Sequence, residues 1–174
     1  MDLTPAELTL LGLLIERPAH GYDLEQVIDR RGIRQWTDIG FSSIYYLLAK
    51  LEKRGLVEGS PSTGGAKSRR VFHPTPAGRE TAARETAAYL AEAHPVAHPF
   101  LVGVANLPLL SKRAYAEALR ARLTRIEARI AAIRQAEQAQ SPLPRAAREV
   151  FSYSLSLLEA ERSWLARRVQ GSDD

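Results

Sequence analysis

A chain of 174 residues, 45% hydrophobic and without cysteine, suits one ordinary domain or two small ones and excludes a disulfide scaffold, thiolate catalysis and a cysteine-based zinc site. No apolar run approaches the roughly 20 residues that span a bilayer, and Met1-Asp2-Leu3-Thr4-Pro5 carries an acid where a secretion signal carries bases, so a cytoplasmic protein away from membranes is expected. The net charge of +4 is unevenly spread: Ser42 to Arg79 holds seven cations and two acids (+5), whereas Met1 to Phe41 holds four and seven (−3).

Thr4-Pro5-Ala6-Glu7 is a helix start, with Thr4 as cap, Pro5 at the first helical position and Glu7 closing a capping box. This first helix should end near Arg17-Pro18. Leu8, Leu11, Leu14 and Ile15 follow helical spacing, and Leu10 and Leu13 widen the stripe until it needs cover on two sides. His20-Gly21-Tyr22-Asp23 opens a second helix that Gly32 stops, with Leu24, Val27 and Ile28 inward. A third begins at Ser42. There Ile44, Leu47, Leu48 and Leu51 form the core face, leaving Ser43, Tyr46, Lys50 and Lys53 opposite, Tyr45 near the boundary, and Ser42 at the cap, where free N–H groups favour phosphate. Two neighbouring tyrosines lie about 100° apart, so one of the pair is expected to pack inward, and Tyr46 is favoured outward.

After Arg54-Gly55, Leu56-Val57-Glu58 begins a strand, Gly59 to Ala66 forms a turn, and Lys67 to His73 returns as a second strand. Val71 is expected to anchor that strand, and Lys67, Arg69 and Arg70 to lie along a nucleic-acid backbone. Three helices and a hairpin make a winged helix-turn-helix. From Pro76 an alanine-rich helix runs to about Ala93 and breaks at His94-Pro95-Val96-Ala97-His98-Pro99, a hinge or a helix connection. Residues 1–78 are therefore expected to form a winged helix and 79–174 a helical second domain. In a long helix from Ser111 to Gln140, Tyr115, Leu119, Leu123, Ile126, Ile130 and Ile133 repeat at coiled-coil spacing; after Ser141-Pro142-Leu143-Pro144 a final helix carries Leu158, Trp164 and Leu165. These stripes can close on each other within one chain or on a twofold partner, and a homodimer is the favoured reading.

Several runs in the first 80 residues resemble the PadR family of bacterial transcriptional regulators. Leu11-Gly12-Leu13-Leu14 and Pro18 with His20-Gly21-Tyr22-Asp23-Leu24 resemble its first two helices. Ser43-Ile44-Tyr45-Tyr46-Leu47-Leu48 through Leu51-Glu52-Lys53-Arg54-Gly55-Leu56-Val57 resembles its recognition helix and exit, and Thr75-Pro76-Ala77-Gly78 the end of its wing. Two positions depart: Val71-Phe72 stands where the family tends to carry paired aromatics, and Pro74 where an apolar residue such as leucine is common. The resemblance implies a mainly helical, dimeric winged-helix repressor or activator whose C-terminal helices build the dimer, often with a ligand changing its DNA affinity. By position, Ser42, Ser43, Tyr45, Tyr46 and Lys50 would lie at double-stranded DNA, Lys67, Arg69 and Arg70 would serve the wing, and Tyr22 would touch phosphate or brace helix two against helix three.

Tyr89, Phe100, Phe151, Tyr153 and Trp164 could line a pocket for a small apolar or aromatic effector, or could be core. His94 and His98 have ligand-like spacing, but Pro95 and Pro99 argue against a helical metal site, so neither metal nor cofactor is expected. No phosphate loop, nucleophile motif or paired carboxylates point to an enzyme. The expectation is a sequence-specific regulator binding a palindromic operator as a homodimer, its recognition helices in half-sites about 34 to 36 Å apart. The alternative is a winged-helix protein-interaction module that dimerises without reading DNA.

Overall fold

The computed structural model describes residues 2–40, 43–61, 70–93 and 96–171. They form two compact units, residues 1–95 and 96–174.

In the first unit α1 (Pro5–Glu16) starts as its sequence requires: the Thr4 hydroxyl accepts from the Glu7 N–H at 3.3 Å, and Glu7 accepts from the Thr4 N–H at 2.9 Å. Its broad apolar surface is explained by its position against α3 (Ser43–Lys53), the hairpin and α4 (Pro76–Ala91), which bury Leu10, Leu11 and Leu14 completely. The second helix, α2 (Gly21–Arg30), packs on α3 and ends at Gly32, whose φ of +62° favours glycine. A 3-10 turn at Ile33–Gln35 follows, burying Ile33 and, beyond it, Ile39; Arg34 fastens this segment to Glu25 and Asp29 of α2. Sequence periodicity gave no sign of it, since three residues are too few to show a repeat.

Strands β1 (Val57–Pro61) and β2 (Arg70–Pro74) pair antiparallel from Val57 opposite Pro74 to Pro61 opposite Arg70. Two expectations need correction here. Gly59, Ser60 and Pro61 belong to β1 and not to the turn, and Phe72, 7% exposed, anchors β2 where Val71 was expected to, because strand alternation aims Phe72 at the core. A third segment joins: the Ala19 and Phe72 N–H groups each donate to the other's carbonyl, at 3.3 and 3.0 Å.

Helix α4 is capped by Thr75, whose hydroxyl accepts from the Gly78 N–H at 3.0 Å and donates to the Gly55 carbonyl at 2.7 Å. It packs on α1 with Ala82 in the winged-helix core, Glu85 accepting from the Asp2 and Leu3 N–H groups, and the Tyr89 hydroxyl donating to the Leu3 carbonyl at 2.9 Å. The units therefore divide at 95/96 and not at 78/79: α4 shares the first unit's core.

The second unit contains α5 (Pro99–Ala105), a 3-10 turn at Leu107–Leu109, α6 (Lys112–Ala139) and α7 (Arg145–Gln170). The proline-rich break hid α5, which spans only seven residues. The short connection after α6 makes α6 and α7 antiparallel neighbours. Leu119, Ile126, Ile130 and Leu165 form their buried seam, flanked by Tyr115, Leu123, Leu155, Leu158, Trp164 and Phe100. Among the described residues no helix is long and apolar enough to cross a membrane.

Three glutamates of the first unit are held below the ordinary value of 4.5. Burial raises the Glu7 carboxyl, but the Thr4 N–H and the Lys50 amine outweigh it; the Arg70 guanidinium lowers Glu52; the Leu3 N–H lowers Glu85. Each folded value lies beneath its unfolded one, so the stability these groups contribute is complete above about pH 4.5 and lost as pH falls through the folded values. We expect the melting temperature to be flat from neutral pH to about 5 and to decline below. A melting series from pH 7 to pH 3 checks this, and a rise on acidification would contradict it.

Candidate nucleic-acid interface

With Ile44, Leu47, Leu48 and Leu51 buried in the core, α3 turns Tyr45, Tyr46, Ala49 and Lys53 outward. Both tyrosines are exposed, at 63% and 69%, which corrects the expectation that one packs inward. The 100° between them is accommodated because Tyr45 lies over the start of α2: a Cβ on Gly21 would stand 2.6 Å from its ring. Glycine is what permits that overlap. Tyr22, 53% exposed, lies in the same cleft of about 440 Å³ with His20, Tyr45, Ala49, Glu52, Arg70 and Phe72, and is therefore not a buried brace. Ala49 was missed by sequence reasoning as a bland residue. At the centre of the outer face it adds only a methyl between the two tyrosines and Lys53.

The expected cations fare differently. Lys50 places its amine 3.0 Å from Oε1 of Glu7, which is 1% exposed, and Arg54 approaches the same oxygen at 3.6 Å. Arg70 is gripped by Glu52, Nη2 to Oε1 at 2.5 Å and Nη1 to Oε2 at 3.1 Å. Part of the local positive surplus is thus neutralised from within, and the exposed cation on the described part of α3's outer face is Lys53. The Ser43 hydroxyl donates to the Gly40 carbonyl at 2.6 Å, at the helix start. Ser42, Lys67 and Arg69 lie outside the described residues, as does His94.

The expected dimer residues form an intrachain structure: Leu119, Ile126, Ile130 and Leu165 are buried between α6 and α7, with Tyr115, Leu123, Leu158 and Trp164 around them and Ile133 8% exposed. The face of α7 turned away from that seam carries Val150, Tyr153 and Leu157, at 39%, 69% and 56% exposure. Their spacing of three and four makes them one stripe. Of the five aromatics expected at one pocket, Phe100 and Trp164 meet edge to face at 5.7 Å, with the Arg122 guanidinium over the first ring and that of Arg168 over the second. Phe151 and Tyr153 do not join them, being about 20 and 16 Å farther along α7 at 1.5 Å per residue. Tyr89 belongs to the first unit, its hydroxyl committed to Leu3.

Three helices, a hairpin and an outward aromatic face on the third helix define a winged helix of the DNA-reading type. Residues 10–84 match the model of the transcriptional regulator PadR-like family, and this unit is a PadR-like winged-helix domain. The fold of the chain is similar to Bacillus subtilis PadR in complex with operator DNA, at 18% identity, covering 95% of this chain and 98% of that one, with a TM-score of 0.78. It is equally similar to the same regulator in complex with p-coumaric acid, at 20% identity, 97% and 98% coverage and a TM-score of 0.78. The Vibrio cholerae virulence activator AphA follows at 21% identity, 97% and 98% coverage and a TM-score of 0.71. Among curated protein sequences none matches the chain.

Proposed function

We propose that the protein is a cytoplasmic, sequence-specific DNA-binding transcriptional regulator, a repressor in sign, that acts as a homodimer on a palindromic operator. The observation that carries this reading is the division of α3: four apolar residues are spent on the core, while Tyr45, Tyr46, Ala49 and Lys53 stand outward on a rigid helix. Tyr45, Tyr46 and Ala49 would meet base edges and thymine methyls, Ser43 and Tyr22 the backbone, with Ser42, Lys67 and Arg69 adding phosphate contacts. Lys50 and Arg70 leave the list of direct contacts because each is committed to a glutamate.

The second copy would dock on the α7 stripe of Val150, Tyr153 and Leu157, since the α6 seam is already covered. Tyr153→Glu should therefore give a monomer by size-exclusion chromatography with light scattering, while Leu123→Ala should not change the oligomeric state. Retention of the dimer by Tyr153→Glu would move the interface elsewhere. The effector class would be a small apolar or aromatic molecule: Phe100 and Trp164 meet edge to face in the second unit, with Arg122, itself paired with Glu161, over the first ring.

The test is selection of duplexes from a random library, followed by fluorescence anisotropy of the selected and a scrambled duplex at two salt concentrations. Preferential, salt-sensitive binding by a dimer is expected. Equal weak binding to both would overturn the reading in favour of a protein-interaction module.

A further inference from the structure

Arg70 stands at the first position of β2, where a cation beside a recognition helix invites assignment as a phosphate contact. Its surroundings argue otherwise. The guanidinium folds back across β1, donates through Nη1 and Nη2 to the two oxygens of Glu52 at 3.1 and 2.5 Å, and donates again to the Gly59 carbonyl at 3.3 Å. Glu52 closes the ring by accepting the Gly59 N–H at 3.1 Å. The cation also lies 5.3 Å from the centroid of the Phe72 ring, whose strand position faces Gly59. Gly59 supplies the space: a Cβ there would lie 2.7 Å from the guanidinium carbon and 2.8 Å from Nε. On the far side the Arg70 carbonyl accepts from His20 Nδ1 at 3.0 Å, which ties the same residue to the start of α2. A planar fork matched to both oxygens of a carboxylate is the geometry that arginine supplies and lysine does not.

We propose that Arg70 is a positioning residue, not a phosphate contact: with Glu52 and Gly59 it forms a clasp that fixes the wing's returning strand against the C-terminal half of the recognition helix, and operator affinity depends on that clasp. The clasp holds β2 to α3 through side chains, while the Ala19–Phe72 pairing holds it to the entry of α2 through backbone. Helix face and hairpin thus meet DNA at one fixed separation, and fixed separation is what lets two contact sets act on one half-site.

The proposal rests on the DNA-binding reading, and the experiment separates the two. Duplexes selected by the wild-type dimer are titrated with Glu52→Gln, Arg70→Lys, Gly59→Ala and the exchange Glu52→Arg with Arg70→Glu, each first checked for a native circular-dichroism spectrum and melt. If the wild type selects no duplex, the reading itself fails. If it does, the clasp requires Glu52→Gln and Gly59→Ala to weaken binding about 5- to 10-fold, roughly the net worth of one ordinary hydrogen bond, although neither loses a cation. Arg70→Lys should behave like them, the exchange should recover at least half of the loss, and the slope of log affinity against log salt should stay at the wild-type value. A direct phosphate contact gives the opposite set. Glu52→Gln would bind more tightly by releasing Arg70, Arg70→Lys would retain affinity, the exchange would bind worst, and removing the charge at 70 would flatten the salt slope by about one. That pattern would overturn the clasp.

Discussion

Gly78→Ala is expected to cost about 3 kcal/mol of folding stability, the upper end for inserting a methyl into packed structure. Gly78 is the third residue of α4, and a Cβ there would overlap the Leu56 carbonyl oxygen, with the carbonyl carbon 3.0 Å away and the Leu56 Cα 3.3 Å away. These atoms are backbone and cannot rotate aside. They are also pinned, since the Leu56 carbonyl accepts the Thr75 N–H at 3.1 Å, and the Thr75 hydroxyl both caps α4 and holds the Gly55 carbonyl. Relief would require lifting α4 from the strand entry and exposing Ala82. For a domain stabilised by roughly 5 to 15 kcal/mol this is a large fraction, and the melting temperature should fall by more than about 10 °C. Gly12→Ala is the control: nothing lies within 4 Å of its Cβ, and the exchange removes a glycine from a helix interior, so it should be neutral or stabilising. Equal melts for the two variants would refute the steric account.

Lys50→Ala is expected to destabilise by about 2 kcal/mol, less than the full loss of a partner from a buried pair because Lys50 is partly exposed and Arg54 remains near. Glu7 is buried with its charge, and its nearest cation is the Lys50 amine at 3.0 Å. Removing that amine leaves a carboxylate whose desolvation is met only by the Thr4 N–H and the longer approach of Arg54. Glu7→Gln with Lys50→Met should recover much of the loss, since a neutral pair has no charge to strand. Thermal melts of Glu7→Gln, Lys50→Met and the double variant give the coupling. An unchanged melt for Lys50→Ala, together with weakened operator binding, would return Lys50 to the DNA-facing set.

The contrast between Lys50 and Leu48 shows what a sequence carries. Leu48 is legible because helical period and hydrophobicity fix its face, and the same logic placed all the long helices, with local turn chemistry giving the cap at Thr4 and the stop at Gly32. Lys50 was assigned outward by the same period, yet a lysine stem spans several ångströms and its amine finds a partner from α1, 43 positions earlier. Charge pairs across elements have no periodicity. The same holds for Arg70 with Glu52, and for the Ala19–Phe72 bridge, which lies outside either strand's alternation. The α6 stripe was read as apolar with two possible covers, and α7 of the same chain is one of them, because spacing specifies a face and not what covers it. The outward tyrosine Tyr46 was therefore legible in the sequence, and the pairing of Lys50 and Arg70 with glutamates was not.

The hairpin of α6 and α7 closes its own seam, with Leu165 completely enclosed and Arg122 and Arg134 linked to Glu161 and Glu159 across it. Folding of this unit is therefore a unimolecular event. In coiled-coil dimers whose seam is shared between chains, dilution unfolds the subunits and denaturation midpoints climb with protein concentration. A subunit that left the proposed dimer would remain a finished structure, so urea midpoints should level off on dilution at the value of a folded monomer and not continue to fall. Newly made and older subunits of the proposed dimer would then exchange without passing through an unfolded state.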